Sequence, residues 1–373
     1  MSRLPGLDLL RAIAIVWVMF FHASGADLGS PWMPMSQFGW MGVDLFFALS
    51  GYLIGWQVLR PLSQGQRLSF ADFYLRRAFR VLPAFWVVLA LYLWWPAFRE
   101  RPGLESAWQF LTFTLNLLID YEHNKAFSHA WSLCVEEHFY LVFPLLALWL
   151  TRKPALWKTA LLVAAVVIGG MALRAWVWHL SLADGANAWV ENVYYPTWMR
   201  LDGLLFGVVL AAIRAYRPDA WAAMMRRSGV LALLGVVAVG AAIAVSQQRL
   251  GLLASVWSFP LVSLGMALLV AAGAAEQRWT GRLRVPGAGW LAAASFSLYL
   301  THKASFHLAQ TAYGEQLEGS GVLALAAYAG AALVGGALLH YSVERPFLRL
   351  RERLARRRAQ TAANAGASTT TSA

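Results

Sequence analysis

The sequence predicts an all-α integral membrane protein of about ten transmembrane helices, and three observations carry that prediction. Of its 373 residues, 59% are hydrophobic, and the mean hydropathy is +0.52. Only 13% are charged, against roughly 25% in soluble domains, which is too little polar surface to coat a water-facing fold. Finally, apolar stretches recur along the whole chain at lengths near the roughly 20 residues that a helix needs to cross the hydrocarbon.

The first stretch, 4–24, contains an apolar run that resembles a secretory signal. Arg11 and His22 stand at its two ends and further apolar runs follow, so it is expected to stay as a mature helix. The next four stretches are 38–59, 82–98, 133–150 and 160–179. The second half adds 197–213, 230–246, 252–272, 291–307 and 322–342. Residues 99–131 mix Trp, Phe and acidic side chains and suit a partly buried lid better than a free loop.

Loop charge predicts the orientation. With the N-terminus inside, alternate loops place 23 of the 31 Lys and Arg on the cytoplasmic side, from Arg3 through the 60–80 loop to the tail beyond Arg345. The opposite side receives five: Arg99, Arg101, Lys125, Arg249 and Lys303. Three fall within apolar stretches: Arg11, Arg174 and Arg200. This division predicts both termini inside. Residues 1–350 form the membrane domain, and 351–373 are a basic and then disordered cytoplasmic tail, its basic part lying on anionic lipid headgroups.

A net charge of +12 and a pI near 10.2 could signal nucleic acid. The basic residues instead sit in short clusters between apolar runs, which argues against that partner. The single cysteine, Cys134, excludes an intrachain disulfide and a cysteine zinc cluster, and no metal or bound cofactor is expected.

Arg11 and His22 are eleven residues apart, close to three helical turns, so both project from one face about 16 Å apart along the axis. An arginine within the membrane costs several kcal/mol unless paired or hydrated, and Asp8 is three residues away. The plainer alternative is that each side chain snorkels to its nearer interface. Arg77 and Arg80, with Arg76 beside them, form a fork matched to phosphate oxygens; ordinary positive-inside charge is the alternative. Glu136 and Glu137 begin the 133–150 helix, where its dipole favours carboxylates. Successive residues diverge by about 100°, so one of the two is expected to face inward. Arg174 and Arg200 are expected to snorkel, to pair with Asp202 or Glu191, or to line a site.

The segment GLDLLRAIAIVWVMFFHA resembles the opening helix of the acyltransferase type 3 membrane family. Five more motifs follow in order: GVDLFFALSGYLI, FYLRRAFRVLP, WSLCVEEHFYLVFP, FSLYLTH and VERPF. Each is weak alone; six in order across nearly the whole chain are specific. The resemblance implies an enzyme that transfers acyl groups other than aminoacyl groups. His22 would be catalytic with Arg11 as its companion, and Arg77 and Arg80, with Arg76, would bind acyl-CoA. It further implies a site role for Glu136 or Glu137, with Glu137 slightly preferred, to orient or charge His22 or to bind the acceptor. His138 stands where the family has Gln or an equivalent, a departure bearing on acceptor preference. Asp44, Ser50, Trp131, Arg200, Tyr299 and His302 are the expected substrate-binding residues, while Cys134 is expected to be packing.

The function so implied is a membrane O-acyltransferase, acetyl most readily, in a bacterial inner membrane. It would use acyl-CoA as co-substrate and a surface or exported glycan, a glycolipid or a related hydroxyl compound as acceptor. A secondary transporter using intramembrane Arg, His and Glu is the alternative, although no internal repeat supports it. A third is an assembly partner in polysaccharide export that has lost catalysis.

Overall fold

A computed structural model describes residues 4–24, 35–152, 156–181 and 185–370; Arg3, Lys153 and the end of the tail lie outside it. The described residues contain helices and no strand. The long helices are α1 (Pro5–Ser24), α2 (Met41–Ser63), α3 (Phe70–Trp94), α4 (Trp131–Arg152) and α5 (Leu156–Ser181). They continue as α6 (Leu201–Tyr216), α7 (Ser228–Val245), α8 (Leu252–Gly273), α9 (Ala288–Leu317), α10 (Val322–Leu339) and α11 (Arg345–Thr370). The protein is an all-α integral membrane protein.

The first ten helices fall on the ten predicted stretches, and eight of the described helices are long and apolar enough to cross a membrane. The two that fall short are α6, which has only 16 residues, and α9, whose 30 residues include Thr301, His302, Lys303, His307 and Gln310. Both carry, or directly follow, residues singled out as functional. The alanine-rich end of the chain continues α11 as helix to Thr370, beyond where composition predicted disorder to begin, in keeping with alanine's high helix propensity.

α2 is the central element. Gly51 and Gly207 bring it against α6 so closely that a Cβ on Gly51 would strike the Leu204 carbonyl oxygen, the close backbone approach that small residues allow. α1 packs against α2 and α9, and α9 against α10. At the periphery, Leu141, Val142, Leu145 and Trp149 of α4 point outward, as do Leu233, Val236 and Val237 of α7, the expected surface for lipid.

The predicted lid, residues 99–131, is a packed plug rather than a loose strap. Phe127 stacks between Tyr92 and Phe110, with Phe85 alongside. Phe127 holds a left-handed backbone at φ +54°, an uncommon state for a bulky residue that the surrounding rings hold in place. The turn that follows, Ser128–Ala130, delivers His129 to the top of α4.

Candidate active site

Two cavities enter the bundle and share two lining residues, Val43 and Tyr299. The smaller, of about 320 Å³, is bounded by Arg11, Ser50, Arg77, Arg80, Ser132 and Glu136. The larger, of about 910 Å³, holds His22, Trp40, His129, Trp131, Trp189, Arg249 and Lys303 among its walls. Arg11 and His22, predicted to share a face of α1, thus serve different chambers, one guanidinium-lined and one imidazole-lined.

In the larger chamber, His22 Nδ1 is 2.7 Å from His302 Nε2, and the two rings stack at 4.9 Å. His302 Nδ1 lies 2.9 Å from the Tyr299 carbonyl and 3.1 Å from that of Leu298. A carbonyl oxygen can only accept, so His302 Nδ1 carries the proton and its Nε2 is a lone pair. That lone pair requires a proton on His22 Nδ1, which leaves His22 Nε2 bare as the basic atom. Hydrogen-bond geometry assigns these tautomers, and α9 supplies the arrangement by placing His302 one turn beyond its own acceptors.

His129 completes the cluster, 5.2 Å from the His302 ring and 6.1 Å from His22. Neither of its ring nitrogens makes a hydrogen bond among the described residues. Sequence reasoning missed it: it sits two residues before Trp131 in a loop, where helical spacing gives no guide. Among the described residues no three His, Cys, Asp or Glu side chains converge in a metal-binding group.

Tyr299 stands where the chambers meet. Its hydroxyl donates to the His129 carbonyl at 2.8 Å and contacts Ser132 Oγ at 2.7 Å. Trp131 stacks on Tyr195 at 5.0 Å and presents to the larger chamber.

In the smaller chamber, Ser50 donates to Glu136 at 2.5 Å and receives the Tyr140 hydroxyl at 3.1 Å, while the Arg77 guanidinium lies 4.0 Å from the Tyr140 ring centroid. Arg11 is 3.7 Å from Asp8, and Arg80 is 3.7 Å from Glu344. Glu344 belongs to a π-helical turn, His340–Glu344, and is also held by Ser297 at 2.7 Å and His340 at 2.9 Å. Arg76 is exposed and lines neither chamber.

Several expected positions change. Glu136, and not Glu137, reaches a cavity, because the helical phase turns its neighbour aside. That cavity is the arginine-lined one, so the carboxylate expected to serve His22 lies beyond Tyr299, and imidazole takes its place beside His22. Asp44 and Arg200, expected to bind substrate, instead grip each other through two contacts at 2.8 and 2.9 Å and line neither cavity. Arg200 is further enclosed by Tyr194, Phe259 and Trp131. Arg174 pairs with Asp202 at 2.8 Å, one of the predicted partners. Cys134 is buried and outside both cavities.

At the mouth of the larger chamber, Glu100 accepts from Lys303 and from the Tyr92 hydroxyl, each at 2.8 Å. Burial alone would raise the Glu100 carboxyl, but the Lys303 ammonium and these hydrogen bonds outweigh it and hold it below the usual glutamate value.

A family profile described as an acyltransferase domain matches residues 4–341. The chain is 31% identical over 229 residues to the O-acetyltransferase OatA of Staphylococcus aureus, covering 56% of this chain and 34% of the relative. It is 28% identical over 250 residues to the peptidoglycan O-acetyltransferase OatA of Listeria monocytogenes, covering 63% and 38%. The putative peptidoglycan O-acetyltransferase YrhL of Bacillus subtilis is 30% identical over 223 residues, covering 56% and 33%. The chain therefore spans about a third of the length of these curated relatives. No solved structure matches. With its six motifs in order and the profile spanning nearly its full length, the chain belongs to the acyltransferase type 3 membrane family.

Proposed function

We propose that the protein is a bacterial inner-membrane O-acetyltransferase that moves an acetyl group from cytoplasmic acyl-CoA to a hydroxyl of a surface or exported glycan or glycolipid. The observation that carries this reading is the meeting of two chemically different cavities at Tyr299. Guanidinium groups of Arg77 and Arg80 match the phosphates of CoA, and Arg11 adds to the same field. The tryptophan-lined chamber offers flat surfaces to a sugar ring. The lopsided loop charge supports placing the arginine cavity toward the cytoplasm. The relatives' printed names, O-acetyltransferase and peptidoglycan O-acetyltransferase, support a glycan acceptor.

The chemistry is direct transfer. His22 Nε2 accepts the proton of the acceptor hydroxyl as the oxygen attacks the thioester carbonyl. The tetrahedral intermediate collapses by breaking its C–S bond, and the proton held by His22 passes to the departing thiolate. The His302 lone pair meets the Nδ1–H of His22 throughout, stabilising the imidazolium as it forms, so His302 is a positioning residue. Glu136 fixes Ser50 and offsets the arginine charge. Acyl-CoA is a co-substrate, and no bound cofactor enters the scheme.

The test is transfer of radiolabelled acetyl from acetyl-CoA by the purified protein in lipid nanodiscs, with envelope glycan from a deletion strain as acceptor. Labelled ester in the wild type and its loss in His22→Ala is the expected result. A folded protein that neither transfers nor hydrolyses acetyl-CoA overturns the reading.

A further inference from the structure

We infer that Arg249 forms an anion-reading subsite in the larger chamber, selecting a carboxylate on the sugar that presents the reacting hydroxyl. The inference rests on the acyl-transfer reading and deepens it, by naming the class of acceptor as an acidic glycan.

Arg249 follows α7 at the chamber wall. Four aromatic rings surround its guanidinium carbon: Tyr194 at 4.8 Å, Trp40 at 5.1 Å, and Phe21 and Trp189 each at 5.4 Å. Such rings attract a cation and hold the planar fork in one place, but they neutralise no charge. Three other basic groups near the site have carboxylates: Lys303 has Glu100, Arg200 has Asp44, and Arg174 has Asp202. No described carboxylate lies within ion-pair distance of Arg249, and its Nε is buried without a hydrogen bond. A cation enclosed by protein without a carboxylate is costly, so a guanidinium that the described residues brace with rings alone, beside an accessible chamber, has a use for an anion. A guanidinium fork with its Nε donor unmet is shaped to take a carboxylate in a bidentate pair.

The position relative to His22 fits that use. Phe21, next to His22 in sequence, bridges the two, with its ring 5.3 Å from the His22 ring and 5.4 Å from the Arg249 guanidinium. An anion held at Arg249 and a hydroxyl held at His22 are therefore on the same sugar or on adjacent ones. Trp40 and Trp189, which line the chamber and pack on the guanidinium, give the sugar ring an apolar face beside its charge.

The experiment uses the deletion strain's envelope glycan, half of it with its carboxyls amidated by carbodiimide and ammonia. Full-length wild type, Arg249→Gln and Arg249→Lys, each in nanodiscs, are given labelled acetyl-CoA and either pool. The expected result is that amidation lowers wild-type transfer at least tenfold by raising the acceptor's KM. In Arg249→Gln, transfer to untreated glycan falls to the amidated level and amidation has no further effect; Arg249→Lys keeps part of the discrimination. Acetyl-CoA binding by each variant, read by calorimetry, reports an intact fold independently. Equal use of both pools by wild type, or undiminished discrimination in Arg249→Gln, overturns the proposal while leaving acyl transfer standing. Failure of wild type to consume acetyl-CoA with either pool overturns the acyl-transfer reading itself.

Discussion

His22 and His302, 280 positions apart in the chain, share a hydrogen bond of 2.7 Å between Nδ1 of the first and Nε2 of the second. A base oriented by a carboxylate gains charge compensation when it protonates; a base oriented by a neutral imidazole gains direction and a weaker dipole. His22→Ala is expected to lower kcat roughly 10²- to 10⁴-fold, the usual contribution of a general base. His302→Ala, which leaves His22 free to rotate, is expected to cost less and to alter the pH profile of kcat, because the neighbour that defines its tautomer is gone. Stopped-time transfer assays across pH 5–9 would check both; equal and pH-independent losses would argue against a relay.

Arg77→Gln and Arg80→Gln are each expected to raise the KM for acetyl-CoA roughly 10- to 100-fold, corresponding to the 1.5–3 kcal/mol of a hydrogen bond to a charged group. Arg76→Gln, in the same motif but outside the cavity, is expected to stay within about twofold. Donor titration at saturating acceptor separates the three. A larger effect at Arg76 than at Arg77 would place CoA elsewhere.

Asp44 and Arg200 make a stability prediction instead of a kinetic one. Asp44→Ala leaves a buried guanidinium unpaired and is expected to cost roughly 3–5 kcal/mol, seen as a lower thermal midpoint in detergent and a lower yield. Replacing both residues with apolar ones, as in Asp44→Leu with Arg200→Met, is expected to do less harm than the single change. If the double variant is the worse, the pair has a role in the site beyond folding.

Glu100 predicts how the chamber mouth responds to acid. Its carboxyl is held below the ordinary glutamate value, so the folded state binds that proton less readily than the unfolded chain. The stabilisation is fully present above the unfolded value and is lost as pH falls through the lower folded one. Thermal midpoints between pH 3 and pH 7 should therefore fall with acid more steeply in wild type than in Glu100→Gln, which has no proton to gain. Parallel curves for the two would remove Glu100 from the account.

The membrane fold was legible because composition and helix length act locally: a 20-residue apolar run is visible wherever it folds. The shared face of Arg11 and His22 was legible for the same reason, as a matter of helical pitch. Partners were not. Arg200 meets Asp44 across 156 positions, and nothing in either local sequence points to the other. Choosing between Glu136 and Glu137 required the rotational phase of α4, which periodicity leaves open when neighbours on both sides are apolar. His129 was hidden because its location depends on the aromatic packing of Phe127 against Tyr92 and Phe110, a tertiary contact that the local sequence does not encode.

Tyr299 has a consequence for the cell as well as for catalysis. A passage open at both ends would let an acyl group through and would equally let protons run down the gradient that powers the membrane. The tyrosine is common to both chambers, and its hydroxyl is tied to the His129 carbonyl and Ser132. On the proposed reading it is the bulkhead across which a thioester would be handed without joining the donor chamber to the acceptor chamber.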